Sequence, residues 1–190
     1  VKENGTKYQK TKFKAEQYLK SSGLDWTIFR PSLIFGDSNN KKEFCKELRD
    51  EMLSMPFPVP LFFEGIQFWN AGKFEMSPIH VKDIAAIFVK SLTMKNTVNK
   101  IYHLGGENIN WKAIIKEIAY ASNKESKMFI PAPAIVLKVL SQILGPMLPV
   151  SKDQLTMLME GNICDSTEVF DLFGIKDPIM FKQDNLKYLG

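Results

Sequence analysis

Lys7-Tyr8-Gln9-Lys10-Thr11-Lys12, followed by Asp25-Trp26-Thr27-Ile28-Phe29-Arg30-Pro31-Ser32-Leu33-Ile34-Phe35-Gly36, is the stretch whose reading decides the fold. Tyr8 and Lys12 stand four residues apart. A helix over residues 7–21 puts their phenol and ammonium on one face, a turn apart. A phenol ordinarily titrates near pH ~10, and a fixed cation beside it favours the phenolate and lowers that value. Such a pair can pass a proton to or from a hydroxyl or carbonyl, the acid–base step that hydride transfer requires. Spacing alone carries little weight, since two such residues on an exposed helix are ordinarily a solvated face. The context adds weight. Phe13, Ala15, Glu16 and Leu19 continue the helical pattern, Ser22-Gly23 closes it, and an apolar strand ends in Arg30-Pro31-Ser32 with Gly36 beyond.

Tyr-x-x-x-Lys, Ala-Glu, Ser-Gly and Arg-Pro-Ser-x-x-x-Gly, in this order, resemble the extended and atypical short-chain dehydrogenase/reductases of the NAD-dependent epimerase/dehydratase type. Within them the chain is most similar to the branch that includes the NADPH-binding accessory subunit of respiratory complex I and its bacterial relatives. The resemblance implies an α/β chain: an incomplete Rossmann-type fold lacking its N-terminal dinucleotide-binding half, with the smaller C-terminal substrate subdomain. Residues 1–36 would be the last helix and strand of the Rossmann-type sheet, and 37–190 a mixed substrate-binding subdomain with C-terminal helices. It further implies Tyr8 as catalytic acid/base and Lys12 as the group that holds the nicotinamide ribose and acidifies the phenol. Pro31 and Ser32 would line the nicotinamide of NAD or NADP, and Ser32 and His80 would face the substrate, a nucleotide sugar or another hydroxyl-bearing small molecule. The alternative that the complex I likeness implies is a non-catalytic nucleotide-binding scaffold subunit of a larger assembly.

A working dinucleotide fold holds the pyrophosphate with a first strand, a glycine-rich turn and a helix N-terminus. None of these is among the 190 residues. Gly105-Gly106 lacks a third glycine at the required spacing and comes too late in the chain; it reads as a turn in need of positive φ. The start one turn before Tyr8, without Met, leads us to expect a piece of a longer protein, inactive and weak for NAD(P) by itself. The strand Trp26–Phe35 would then lack a neighbour, so residues 1–36 are expected to rearrange or to pair with another copy through the exposed strand.

Composition limits the remaining choices. A hydrophobic content of 45% with 24% charged residues is ordinary for a globular domain, and 190 residues suffice for one, with room for a small subdomain. The net charge of +4 comes from scattered lysines with a modest cluster in residues 2–20. Arginine is scarce, so no nucleic-acid partner is expected. Cys45 and Cys164 form no Cys-x-x-Cys pair, and His80 and His103 show no metal spacing with them. Reduced thiols in the cytoplasm are expected, or in an organelle matrix or at a peripheral membrane complex, with no metal site. Met128–Val150 is long and largely apolar, yet four prolines, Lys138 and Gln142 interrupt it. An interfacial or buried helix over about 132–144 fits it better than a membrane span.

The rest of the chain reads as amphipathic helices and short strands. A helix over 41–54 has Phe44, Leu48 and Met52 inward, capped by Ser38, Asn39 or Asn40. Prolines at every second position make 56–63 an extended crossing. A helix follows His80-Val81-Lys82-Asp83, its entry held by His80 or Asp83. Lys100–Leu104 is a strand, and Trp111–Ser122 a helix with Ile114, Ile115, Ile118 and Ala119 inward. Ser151 and Gln154 suggest another helix start, with the methionines of 147–159 as core filling.

Overall fold

The computed structural model describes residues 1–39, 42–136, 139 and 152–190. The first element, α1 (Lys7–Lys20), begins at Thr6, whose side chain accepts from the backbone of Gln9 while Gln9 returns the contact to the backbone of Thr6. This reciprocal box satisfies two amides that a helix start otherwise leaves unpaired. The helix ends at Ser21, and Gly23 turns the chain with φ +75°. The strand β1 (Thr27–Pro31) follows.

Four short pairings organise what comes next. β1 lies parallel to β6 (Lys100–Leu104), with Ile28 beside Ile101. Just beyond it β2 (Ile34–Phe35) lies parallel to β5 (Ile79–His80). β3 (Val59–Phe63) is the proline-rich crossing, and it pairs in parallel with β8 (Phe129–Pro133). β4 (Glu75–Met76) and β7 (Ile109–Asn110) run antiparallel. Pairing therefore runs across position 36, because β1 and β2 find partners far downstream. Residues 1–36 keep a helix-then-strand arrangement, and β1 has no strand on its other edge among the described residues.

Helix α2 (Phe44–Leu48) is shorter than the periodicity of 41–54 suggests. It passes into one π-helical turn, Arg49–Leu53, closed by Ser54 N–H donating to Arg49 O at 2.9 Å. The extra residue in that turn brings both Met52 and Leu53 into the core. Its cap is the Glu43 carboxylate, accepting from Lys46 N–H, rather than Ser38, Asn39 or Asn40. Helices α3 (Val81–Ser91) and α4 (Trp111–Ala121) match the expected spans, and α4 buries Ile114, Ile115, Ile118 and Ala119. Among the described residues, helices α5 (Lys152–Met159) and α6 (Thr167–Leu172) precede the last turns. The expected helix over 132–144 and the Ser151 cap fall largely on residues outside those described. Among the described residues, no helix is long and apolar enough to cross a membrane.

Two cores result. The larger gathers Phe35, Leu53, Val59 and Phe62 around Trp111 and the isoleucines of α4. The smaller sets Ile79, Ile84, Ile87 and Leu104 against Phe173. Gly105 and Gly106 correct the sequence reading: neither has positive φ. A side chain at Gly105 would run into Cys164 Sγ and Ser77, and one at Gly106 into Pro78 O. Here glycine serves close backbone approach. Gly36, which ends the Arg-Pro-Ser-x-x-x-Gly motif, does need its freedom, with φ +129° and Val81 pressed against it.

Candidate active site

Helix α1 buries no large apolar side chain; its buried residues are Gln9 and Glu16. It is fixed to the body by polar ties. Arg30 of β1 donates Nε to Glu16 Oε1 at 2.9 Å and Nη2 to Glu16 Oε2 at 2.6 Å, a two-pronged pairing. Gln9 Nε2 donates to Glu160 Oε2 at 3.0 Å, linking α1 to the end of α5. The paired guanidinium holds the Glu16 carboxyl below the usual carboxylate range, against the opposing effect of partial burial. A depressed folded-state value contributes stability that is complete above the unfolded value near 4.5 and is lost as pH falls through the folded value. We therefore expect Glu16→Gln to lower the melting temperature at pH 7 and to converge with the parent protein under strongly acidic conditions. Parallel thermal melts across pH 2–7 (about the span over which carboxylates titrate) check this, and a gap that persisted at low pH would contradict it.

These ties set Tyr8 in place. It is exposed on the first turn of α1, and Lys12 Nζ lies 5.5 Å from the centroid of its ring. The two residues thus share one helix face, as their spacing predicts. Two clefts open beside them. One, of about 840 Å³, is lined by Tyr8, Lys12, Arg30, Pro31, His103, Glu160 and Asn162, among others. The other, of about 510 Å³, is lined by Tyr8, Ser32, Leu33, Trp111, Met157 and others. Tyr8, Met157 and Asn162 belong to both walls, so the phenol stands at the junction.

Pro31 faces the larger cleft beside Lys12, and Ser32 faces the smaller one. The Ser32 hydroxyl donates to Asn162 O at 2.7 Å, and its backbone N–H donates to Leu104 O. His80 has a different post. It is buried, its Nδ1 accepts from Lys82 N–H at 3.1 Å at the entry of α3, and its ring meets the edge of Phe35. It lines neither cleft, and burial holds it below the usual imidazole range. Asp83 does not cap its own helix but accepts from Ile179 N–H at 2.9 Å, pinning the C-terminal segment. Sequence reading missed His103, which lines the larger cleft, held low by desolvation and then by the Arg30 charge. It also took Met157 for core, although Met157 lines both clefts. Among the described residues no cluster of three potential metal ligands forms.

Residues 3–105 match the NAD dependent epimerase/dehydratase family. Among curated proteins, the chain is 30% identical over 128 residues to the chloroplast stem-loop binding protein of 41 kDa b of Arabidopsis thaliana, covering 67% of this chain and 30% of that protein. It is 23% identical over 136 residues to the mitochondrial NADH dehydrogenase [ubiquinone] 1 alpha subcomplex subunit 9 of Dictyostelium discoideum, covering 71% and 35%. A solved UDP-glucose 4-epimerase of Thermus thermophilus, in complex with NAD, superposes with a TM-score of 0.59 at 16% identity, over 93% of this chain and 49% of that one. The likeness to that structure is one of fold. The chain spans about a third of the length of these curated relatives and about half of that structure. With a family match over more than half of its residues, the chain belongs to the NAD dependent epimerase/dehydratase family.

Proposed function

We propose that this chain is the substrate-side half of an NAD(P)-dependent enzyme that moves a hydride to or from a hydroxyl- or carbonyl-bearing small molecule. The observation that carries this reading is the position of Tyr8, beside Lys12 and on the wall common to two clefts. An acid–base group is useful where a redox cofactor and a substrate meet, and this position gives it one neighbour on each side. The larger cleft suits the nicotinamide–ribose end of such a cofactor, with Lys12 near the ribose and Pro31 beside the ring. Among the described residues it offers no glycine-rich turn for a pyrophosphate. When bound, the cofactor would supply or take the hydride. Tyr8 would hold the proton at the substrate oxygen, releasing it as a carbonyl becomes a hydroxyl and accepting it in reverse. Lys12 would stabilise the phenolate that results. Nucleotide sugars, as in the name of the Thermus enzyme, are the first class to test.

The test uses the full-length protein and NAD(P)H deuterated at the transferable position. Deuterium at a carbon of the alcohol product supports the reading. The second reading, a scaffold subunit without chemistry, is favoured by the respiratory-chain relative. Absence of deuterium transfer to any carbonyl compound, together with co-purification with respiratory-chain subunits, would select it. The scattered lysines and scarce arginine of this chain do not favour the stem-loop binding that the Arabidopsis relative's name describes.

A further inference from the structure

Helix α1 rests on two buried polar side chains, Gln9 and Glu16. Glu16 meets Arg30 toward the far end of the helix, whereas Gln9 stands next to Tyr8. The Gln9 carboxamide is engaged at both ends. Its Oε1 accepts from Thr6 N–H at 2.8 Å, and its Nε2 donates to Glu160 Oε2 at 3.0 Å. Glu160 also pairs with Lys2 at 2.9 Å, and Lys2, with Gln9 after it, holds the Glu160 carboxyl below the usual carboxylate range. The contact to Gln9 is therefore made to an ionised acceptor, the stronger kind of hydrogen bond.

Two residues on, Asn162 is fixed through its backbone. Its O accepts from Ser32 Oγ at 2.7 Å and from Ser77 N–H at 3.0 Å, and its N–H donates to Glu75 O at 3.3 Å. Gly161 lies between them with φ +67°, and a Cβ there would stand 2.8 Å from Glu75 O, so the close approach needs glycine. Glu160, Gly161 and Asn162 thus fasten the turn that carries Tyr8 at one end and the Arg-Pro-Ser segment at the other. The same stretch of chain supplies Met157 and Asn162, the two residues that both clefts share with Tyr8.

We infer that Glu160–Gly161–Asn162 is a clasp that sets the spacing between Tyr8 and Ser32, with Glu160 as the positioning residue that acts on Tyr8 through Gln9. The clasp rests on these contacts alone; its effect on turnover rests on the function proposed above. Misplacing a reacting group by about 1 Å can cost about a hundredfold in rate. A hydrogen bond away from the chemistry can therefore matter more to turnover than to stability.

The test compares Glu160→Ala with Glu160→Gln in the full-length protein. Both remove the negative charge, and only the second keeps an oxygen to accept from Gln9 Nε2. The readout is the ring signal of Tyr8 in protein labelled with ¹³C-tyrosine, identified by its loss in Tyr8→Phe. Tyr102 of the smaller core and Tyr188 of the larger one report on the rest of the molecule in the same sample. Glu160→Ala is expected to displace the Tyr8 signal toward its position in unfolded protein and to leave Tyr102 and Tyr188 in place. Glu160→Gln is expected to leave all three. A Tyr8 signal unmoved by Glu160→Ala overturns the inference. So does an equal displacement by Glu160→Gln, which makes charge and not the contact the cause, and so does a displacement shared by Tyr102 and Tyr188, which means general loosening. Where the full-length protein transfers deuterium, Glu160→Ala is expected to lower kcat by at least about tenfold and Glu160→Gln to restore most of that loss; an unchanged kcat in Glu160→Ala overturns the positioning role. A Tyr8 signal that depends on Glu160 in a protein that transfers no deuterium keeps the clasp and removes the hydride reading. Deuterium transfer with a Tyr8 signal indifferent to Glu160 does the reverse.

Discussion

On the proposed function, Tyr8→Phe in the full-length protein is expected to lower kcat by about 10²–10⁴-fold, the usual contribution of a positioned acid–base group. The substitution removes one oxygen and keeps the ring that lies 5.5 Å from Lys12 Nζ. The side chain is exposed, so the fold loses little with the hydroxyl. Cofactor binding, read by calorimetry, stays close to that of the parent protein, because loss of the phenol removes a proton carrier and no binding surface. The result is therefore a fall in kcat with little change in cofactor affinity. Full turnover by this variant would remove Tyr8 from the mechanism and with it the reading of the junction between the clefts.

Trp111→Ala is expected to be the most destabilising single change, at about 3–5 kcal/mol. For a chain of this size that corresponds to a fall in melting temperature on the order of 10 °C. The indole is fully buried, with Phe62 and Phe74 stacked against it and Phe44 at its edge. Trp111 begins α4, and its backbone N–H is tied to Phe74 O at 2.9 Å, which resists collapse of the backbone into the space. Calorimetric melting of parent and variant checks this. A loss below about 1 kcal/mol, the range of an ordinary surface or half-buried substitution, would mean that the residue is not the keystone of the larger core.

Much of the fold was legible because its signals are local. The apolar spacing of 111–121 gave α4 and its buried face, alternating prolines excluded helix from 56–63, and the four-residue interval gave Tyr8 and Lys12 a common face. The Thr6–Gln9 box was equally available as a Thr-x-x-Gln pattern and was passed over. The features that were not legible depend on pairs distant in sequence. Glu16 and Arg30 join across the turn between α1 and β1, and Gln9 reaches Glu160 from the other end of the chain. Gly105 read as a turn residue because nothing in the sequence says that Cys164 will lie against it. Met157 has the apolar character of core, and only the placement of α5 beside α1 turns it toward the clefts. His80 has the residue type of a ligand-binding group, but its caging by Lys82 and Phe35 emerges only when β2 and β5 pair.

The mode of attachment of α1 has a consequence for how the molecule comes apart. Phe13 and Leu19 are only half covered, and the ties that matter are a guanidinium fork and an amide contact. A cut in the exposed Ser21–Ser22–Gly23 link would leave the phenol-bearing helix joined to this body by those contacts, while both hydrophobic centres stay closed. The phenol-bearing helix and the mass of packed side chains are thus separable units, the first held by polar contacts and the second by its own packing.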